Sequence, residues 1–161
     1  MTVEEYNKSV DQYSDGLYRF ILNNIKDRDK AQDIIQDTYE KLWRKVKTVS
    51  GDKVKSYLFT TAYHTMIDLI RKEKWSSDFD EVKQEKYAHT DQYSDLNEIL
   101  HEAISKLPED QRSVIMLRDY EGYSYQEISE ITGLSETQVK VYIYRGRLFL
   151  KKYIGKIESV V

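Results

Sequence analysis

The sequence of 161 residues contains no cysteine. This absence excludes disulfide bonds, thiolate zinc sites and a cysteine nucleophile together. Only one proline and six glycines occur, and their scarcity favours long helices because these two residues interrupt helical patterns. No stretch approaches the roughly 18 consecutive apolar residues of a membrane span, and no apolar run follows a basic start as in a secretory signal. We therefore expect a cytoplasmic protein without membrane insertion.

The charges of the chain are unevenly distributed. Charged residues make up 33% of the sequence, and the formal net charge is -3. From Lys140 to Lys156, however, there are six basic residues and no acidic one, whereas the segment 78–98 holds seven acids and two lysines. The local field governs an encounter with phosphates, since salt screens charges beyond about 10 Å. A basic C-terminal helix is therefore compatible with nucleic-acid binding, although the net charge of the whole chain is negative.

Three segments in the first half of the chain have apolar residues at three- and four-residue spacing. This spacing is typical of amphipathic helices. It predicts a helix over about Val3–Lys26, a second from Ala31 to about Val46, and a third over about Val54–Lys74. The intervening segment Lys47–Lys53 has the composition of a loop.

A polar, acidic and poorly periodic stretch follows at 76–95, and we expect it to be a flexible linker. Helical spacing resumes over Leu96–Lys106, and Pro108 suits the first position of the next helix, where its missing N–H costs nothing. The predicted fold class is all-α, with two small helical domains, 1–75 and 96–161, joined by the flexible acidic linker.

The last third of the chain has the pattern of a helix-turn-helix. Tyr125–Thr132 is a short amphipathic segment, and Gly133 follows where the chain must reverse, because glycine accepts positive φ without steric cost. Ser135 is placed to cap the next helix through its hydroxyl. That helix, predicted over Glu136–Tyr153, has a basic face opposite its apolar positions. Two helices joined by a glycine turn, the second of them basic, are what a major-groove reader needs.

Three motifs in this region extend the pattern: Leu107–Arg112, Glu121–Ile128 and Ser135–Lys140. In this order and spacing they closely resemble region 4 of bacterial RNA polymerase sigma factors. Response regulators of the LuxR type have a similar helix pair but usually not this lead-in. The resemblance implies recognition of the −35 promoter duplex. The implied −35 DNA-binding residues are Ser135, Gln138, Lys140, Tyr142, Tyr144 and Arg145.

The second predicted helix contains another motif. Ala31–Trp43 resembles sigma region 2.2, which docks on the clamp helices of the largest polymerase subunit. Four polar side chains share one face of this helix by their spacing, opposite its apolar residues. A solvated acidic stripe is the alternative interpretation, and the region 4 motifs at the expected distance favour docking. The implied core-polymerase-binding residues are Asp33, Gln36, Asp37 and Glu40.

The third predicted helix resembles sigma regions 2.3 and 2.4 over Ser56–Lys72, and the loop Val49–Val54 lies where the family has its base-specificity loop. In the family these regions capture unstacked bases of the melted −10 element. The physics fits, since aromatic rings stack on bases and cations follow the strand. The implied −10 DNA-binding residues are Ser50, Gly51, Lys53, Tyr57, Thr61, His64 and Arg71.

Two positions depart from the family pattern in this helix. Tyr57 stands where many members have tryptophan, and His64 where many have asparagine. Because imidazole offers a different set of donors and acceptors from an amide, the base preferred at that position is open. His64 and Asp68 are also four residues apart, as a metal pair would be. No third ligand is evident, and we expect neither a metal nor a cofactor.

The resemblance covers about 10–74 and 96–153, and such a two-region form resembles the extracytoplasmic-function (ECF) group of sigma factors. The implied function is binding of core RNA polymerase, recognition of the −35 and −10 elements and assistance in DNA melting. The implied partners are core RNA polymerase, promoter DNA and an anti-sigma factor.

Two other functions remain as alternatives. A free-standing helix-turn-helix transcriptional regulator would bind duplex DNA tightly without polymerase, but it leaves the acidic face of the second helix without a purpose. An enzyme is the weaker alternative. The sequence has no glycine-rich phosphate loop, no cysteine and no convincing nucleophile–base or metal cluster.

Overall fold

The computed structural model describes residues 1–77 and 95–160, with side chains described for 1–74 and 98–156. They belong to two compact units, one within Met1–Tyr87 and the other within Ala88–Val161. All regular elements in these ranges are helical, which confirms the all-α prediction. The linker predicted at 76–95 lies outside the described residues, apart from its helical ends at 76–77 and 95. None of the described helices has the length and apolar content that a membrane span requires.

The first unit contains α1 (Val3–Ile25), α2 (Arg28–Arg44), a 3₁₀ turn (Gly51–Lys53) and α3 (Val54–Ser77). α1 ends where Lys26 takes a left-handed conformation, with φ 61°, and its N–H bonds to the carbonyl of Leu22. Asp27 then starts α2 by accepting a hydrogen bond from the Lys30 N–H at 3.2 Å. α2 ends at Arg44, two residues before the predicted Val46, and the chain then continues in turns.

The core of the first unit lies where the three helices meet. Leu17, Phe20 and Ile21 of α1 are fully buried, and the ring of Phe20 lies 5.9 Å from that of Phe59 in α3. Burial of each such side chain contributes about 1.5–3 kcal/mol. The polar positions of α2 and α3 are consequently left on the outside.

A hydrogen-bonded tyrosine holds the first half of α1 against α2. The buried Tyr39 hydroxyl donates to the carbonyl of Ser9 at 3.0 Å, and the Tyr6 hydroxyl donates to the carbonyl of Tyr39 at 3.1 Å. Burial raises the pKa of Tyr39, so its phenol stays a neutral donor. These bonds fix the position of α1 along α2.

The second unit contains α4 (Asp95–Ser105), α5 (Glu109–Ile115), a π-helical turn (Met116–Tyr120), α6 (Tyr125–Thr132) and α7 (Glu136–Val160). The helix-turn-helix prediction is confirmed by α6 and α7, although α7 continues past the predicted end at Tyr153.

The expected position of Pro108 was wrong by one residue. Pro108 is the N-cap of α5 rather than its first helical residue. Its ψ of 148° is extended, while its carbonyl already accepts the first helical hydrogen bond, from the Arg112 N–H at 2.9 Å. An N-cap residue has this combination of non-helical backbone and bonded carbonyl.

A glycine allows α7 to approach α5 closely. Gly146 is buried, and a Cβ built there would overlap the Cδ1 of Ile115 and lie 3.3 Å from its Cγ1. Val139 and Ile143 of α7 are also buried, on the same side of the helix. The closeness of the two helices therefore depends on the missing side chain of Gly146.

Candidate nucleic-acid and docking surfaces

The turn between α6 and α7 is built as the sequence predicts. Gly133 has φ 80°, and its N–H bonds to the carbonyl of Ser129 at 2.9 Å. Ser135 caps α7, because its Oγ accepts from the Gln138 N–H at 3.1 Å while the Gln138 side chain accepts from the Ser135 N–H at 3.0 Å. Both side chains are exposed. A base contact by either one would have to replace or share these capping bonds.

The outward face of α7 brings several predicted −35 residues together. Lys140, Tyr144 and Arg145 are exposed, and Tyr144 has 69% of its surface accessible, which is unusual for a large aromatic side chain. Tyr142 is half-buried and lies toward the flank. Val141 is 38% exposed on the same outward face, and sequence reasoning missed it. The sequence did contain a signal for it, since Val141 is an apolar residue that does not share the helical spacing of the buried Val139, Ile143 and Gly146.

An aromatic ring joins three segments beside this face. The guanidinium of Arg118 lies 4.4 Å from the centroid of the Tyr125 ring, and the ammonium of Lys140 lies 5.6 Å from it. Arg147 pairs with Asp119, with Nε and Oδ2 3.2 Å apart, and this hydrogen bond raises the pKa of Arg147. Of the basic residues, Arg118 was missed by the sequence prediction, because only the fold brings the π-helical turn next to α7.

The predicted polar face of α2 is present on the first unit. Asp33, Gln36 and Glu40 are exposed, and Asp37 is half-buried. Two of the carboxylates have partners within the helix: Asp37 pairs with Lys41 at 3.1 Å and Glu40 with Arg44 at 3.0 Å. Exposed pairs at this spacing contribute only about 0.3–0.5 kcal/mol. These carboxylates are thus available to a partner at small cost.

A tryptophan extends this polar face toward the end of α2. Trp43 is 48% exposed and lies one turn beyond Glu40. The ring of Tyr6 contacts it edge-on, with centroids 5.0 Å apart. Sequence reasoning missed Trp43 as a site residue, since a tryptophan at helical spacing reads as core. Its exposure gives the face an apolar anchor of the type found at interface hot spots.

The predicted −10 side chains of α3 lie on one face of that helix. Tyr57 and Thr61 are half-buried, while His64 and Arg71 are exposed. The loop residues Ser50, Gly51 and Lys53 are exposed immediately before α3 begins. The His64 ring lies edge-on to the ring of Tyr63 at 5.4 Å.

Asp68 is exposed on the same face as His64. Among the residues that the structure describes, no group of three or more histidine and carboxylate side chains is arranged to hold a metal ion.

These features define a two-unit helical protein. One unit is a helix-turn-helix with an exposed basic face, and the other is a three-helix unit with exposed polar side chains on α2 and α3. Residues 10–76 match the family model of sigma-70 region 2, and residues 97–150 match that of sigma-70 region 4. The chain belongs to the sigma-70 family, in its ECF group. Such proteins are regulatory subunits for promoter-specific transcription initiation rather than enzymes.

Relatives match along nearly the whole chain. RNA polymerase sigma factor SigV of Bacillus subtilis is 31% identical over 91% of this chain and 89% of its own length. The ECF RNA polymerase sigma factor SigX of the same organism is 29% identical, covering 94% of this chain and 84% of its own. The sigma factor RpoE of Bartonella quintana, solved with the anti-sigma factor NepR, is similar in structure. It has a TM-score of 0.82 and 29% identity, with 95% of this chain and 98% of that chain covered.

Proposed function

We propose that this chain binds core RNA polymerase through α2, captures the melted −10 strand through the loop and face of α3, and reads the −35 duplex through α7. The observation that carries the proposal is that the family motifs all have exposed polar or aromatic side chains outside the two cores. Domain limits near 1–75 and 96–161 belong to the same proposal. They assign −10 and core binding to the first unit and −35 binding to the second.

The face of α7 has the chemistry of a major-groove reader. Arg145 can donate two hydrogen bonds to guanine, and the exposed Val141 and Tyr144 can contact a thymine methyl. Lys140 lies beside the Tyr125–Arg118 pair, where cations can contact the phosphates that flank the groove. Base and phosphate contacts would therefore come from one continuous surface.

The face of α2 has the chemistry of a docking surface. It combines exposed carboxylates with one large aromatic side chain, Trp43, which Tyr6 supports from α1. Charges at the rim of an interface steer association, while a central aromatic anchor supplies most of the binding energy. We assign the polar contacts to Asp33, Gln36, Asp37 and Glu40, and the aromatic contact to Trp43 at the C-terminal end of this face.

The solved structure of RpoE contains an anti-sigma factor. Because this chain is similar to RpoE, we infer that it also binds an anti-sigma factor. We place the complex with RNA polymerase in the cytoplasm.

Transcription from a genomic library tests the proposed function directly. With core polymerase added, the chain is expected to direct specific start sites. Alone, it should bind promoter duplex only weakly, because one basic helix neutralises few phosphates. Start-site mapping with and without the chain measures the first result, and a DNA-binding titration measures the second. Tight sequence-specific duplex binding without polymerase, together with unchanged start sites, would favour the free-standing regulator.

Replacing His64 by asparagine is expected to change which base is preferred at one −10 position. An amide holds one donor and one acceptor in a plane, whereas neutral imidazole carries them on separate ring nitrogens. Since His64 is exposed on the α3 face, the change should affect the base profile more than overall promoter strength. Transcription from promoters randomised across the −10 element measures both quantities.

The same substitution at His101, in the other unit, provides a matched control and should leave the −10 profile unchanged. If His64→Asn lowers activity on all promoters alike, His64 has a packing role and is not a base reader.

A further inference from the structure

Among the described residues, α1, α6 and α7 begin with a Ser or Thr cap that is followed three residues later by Glu or Gln. In α1 the glutamate makes a different contact from its counterparts. In α6, the Glu127 carboxylate accepts a hydrogen bond from the Ser124 N–H at 3.1 Å. In α7, Gln138 does the same for Ser135. In α1, Thr2 caps the helix by accepting from the Glu5 N–H at 3.1 Å, so Glu5 occupies the equivalent third position. The usual role of a glutamate there is to bond back to the cap residue.

The carboxylate of Glu5 lies instead against the loop that precedes α3. A Cβ built on Gly51 would be 2.8 Å from Glu5 Oε2 and 3.7 Å from its Cδ, which places the carboxylate directly beside the Cα of Gly51. A Cβ at position 51 would displace the end of the Glu5 side chain, which is exposed and flexible. Glu5 and Gly51 together line a shallow cleft of about 170 Å³ between α1 and the loop.

The position of the carboxylate is favourable for the loop. Gly51 is the first residue of the 3₁₀ turn that leads into α3, and Ser50 before it makes no side-chain capping hydrogen bond. The N-terminal end of a helix carries unpaired N–H groups and a partial positive charge, which a nearby carboxylate stabilises. α1 can hold the carboxylate there because the Tyr39–Ser9 hydrogen bond fixes α1 on α2.

We propose that Glu5 is a positioning residue for the loop Ser50–Lys53, so that the first turn of α1 contributes to −10 base selection without contacting DNA. The inference rests on the function proposed above for that loop. The proposal also predicts the effect of a methyl group at position 51, which would push the flexible carboxylate away while leaving the backbone unstrained.

A double-mutant cycle tests the contact. Glu5→Ala and Gly51→Ala should each speed amide hydrogen exchange in the loop of the free chain. With core polymerase, each should lower discrimination at one −10 position by about two- to fivefold, the scale of one charge at a helix N-terminus. Both variants remove the same contact, so the double variant should be no worse than either single one.

Glu4→Ala is the matched control, since Glu4 is also an exposed acid in the first turn of α1. It should change neither loop exchange nor the base profile. Additive effects of the two substitutions, or loop exchange that is the same in Glu5→Ala and Glu4→Ala, would overturn the proposal. The exchange measurement needs no polymerase. Its outcome is therefore separate from failure of the proposed function, which would appear as absent start sites with the unaltered chain.

Discussion

Reversing two charges on α2, by Asp37→Lys combined with Glu40→Lys, is expected to lower the affinity for core RNA polymerase by roughly tenfold or more, at about 1.4 kcal/mol per tenfold. In the proposed function, the substitutions turn an attractive rim into a repulsive one, because a partner that complements the acidic face would be basic. They also replace the Asp37–Lys41 and Glu40–Arg44 pairs by like charges. At this exposure the helix loses only about 1 kcal/mol in total. A pull-down or binding titration with core polymerase measures the affinity.

Asp11→Lys combined with Asp15→Lys is the matched control, because it changes the net charge equally on exposed positions of α1. Its core binding should stay near that of the unaltered chain. Undiminished binding of the α2 variant would contradict the assignment of this face. Unfolding of the α2 variant, seen as a large drop in helicity, would show that these carboxylates are needed for the fold.

Replacing Gly146 by alanine is expected to destabilise the second unit by about 1–3 kcal/mol, the usual cost of overpacking. The added Cβ overlaps the Cδ1 of Ile115, and both helices are held by buried neighbours such as Val139 and Val114. Because a unit of this size shifts by about 4–8 °C per kcal/mol, thermal unfolding measures the loss. In the proposed function, transcription from promoters that depend on the −35 element should decrease at the same time.

Gly155→Ala in the same helix is the matched control, since a Cβ there meets nothing within 4 Å. It should stabilise α7 by roughly 0.5–1 kcal/mol, because alanine favours helix over glycine. Adding Ile115→Val to Gly146→Ala deletes the overlapping Cδ1 and should recover part of the lost stability. Equal effects of the two glycine substitutions on stability would show that α5 leaves room for a side chain at position 146.

The helices of the first unit and the helix-turn-helix could be predicted because their signals are local. Apolar residues at three- and four-residue spacing mark α1, α2 and α3, and Gly133 and Ser135 mark the turn before α7. Helix ends depend on single hydrogen bonds instead. For this reason α5 begins one residue after Pro108 rather than at it, and α2 ends at Arg44 rather than near Val46.

The predicted site residues mostly lie on exposed faces, but which of them touch polymerase or DNA stays a prediction. Trp43 was missed because an aromatic residue at helical spacing is usually core, whereas here it is 48% exposed and has only the edge-on Tyr6 ring described against it. Arg118 and Tyr125 come from different segments, so no spacing along the chain could have joined them to Lys140.

The sequence alone determined the helical class, the turn and the family motifs, because each depends on residues within a few turns of one another. Only the tertiary structure decided which side chains from distant segments meet. The approach of α7 to Ile115 at Gly146 depends on helix packing, as does the contact of Glu5 with the loop at Gly51. Distances between segments are set by how buried side chains interlock, and a linear pattern does not contain them.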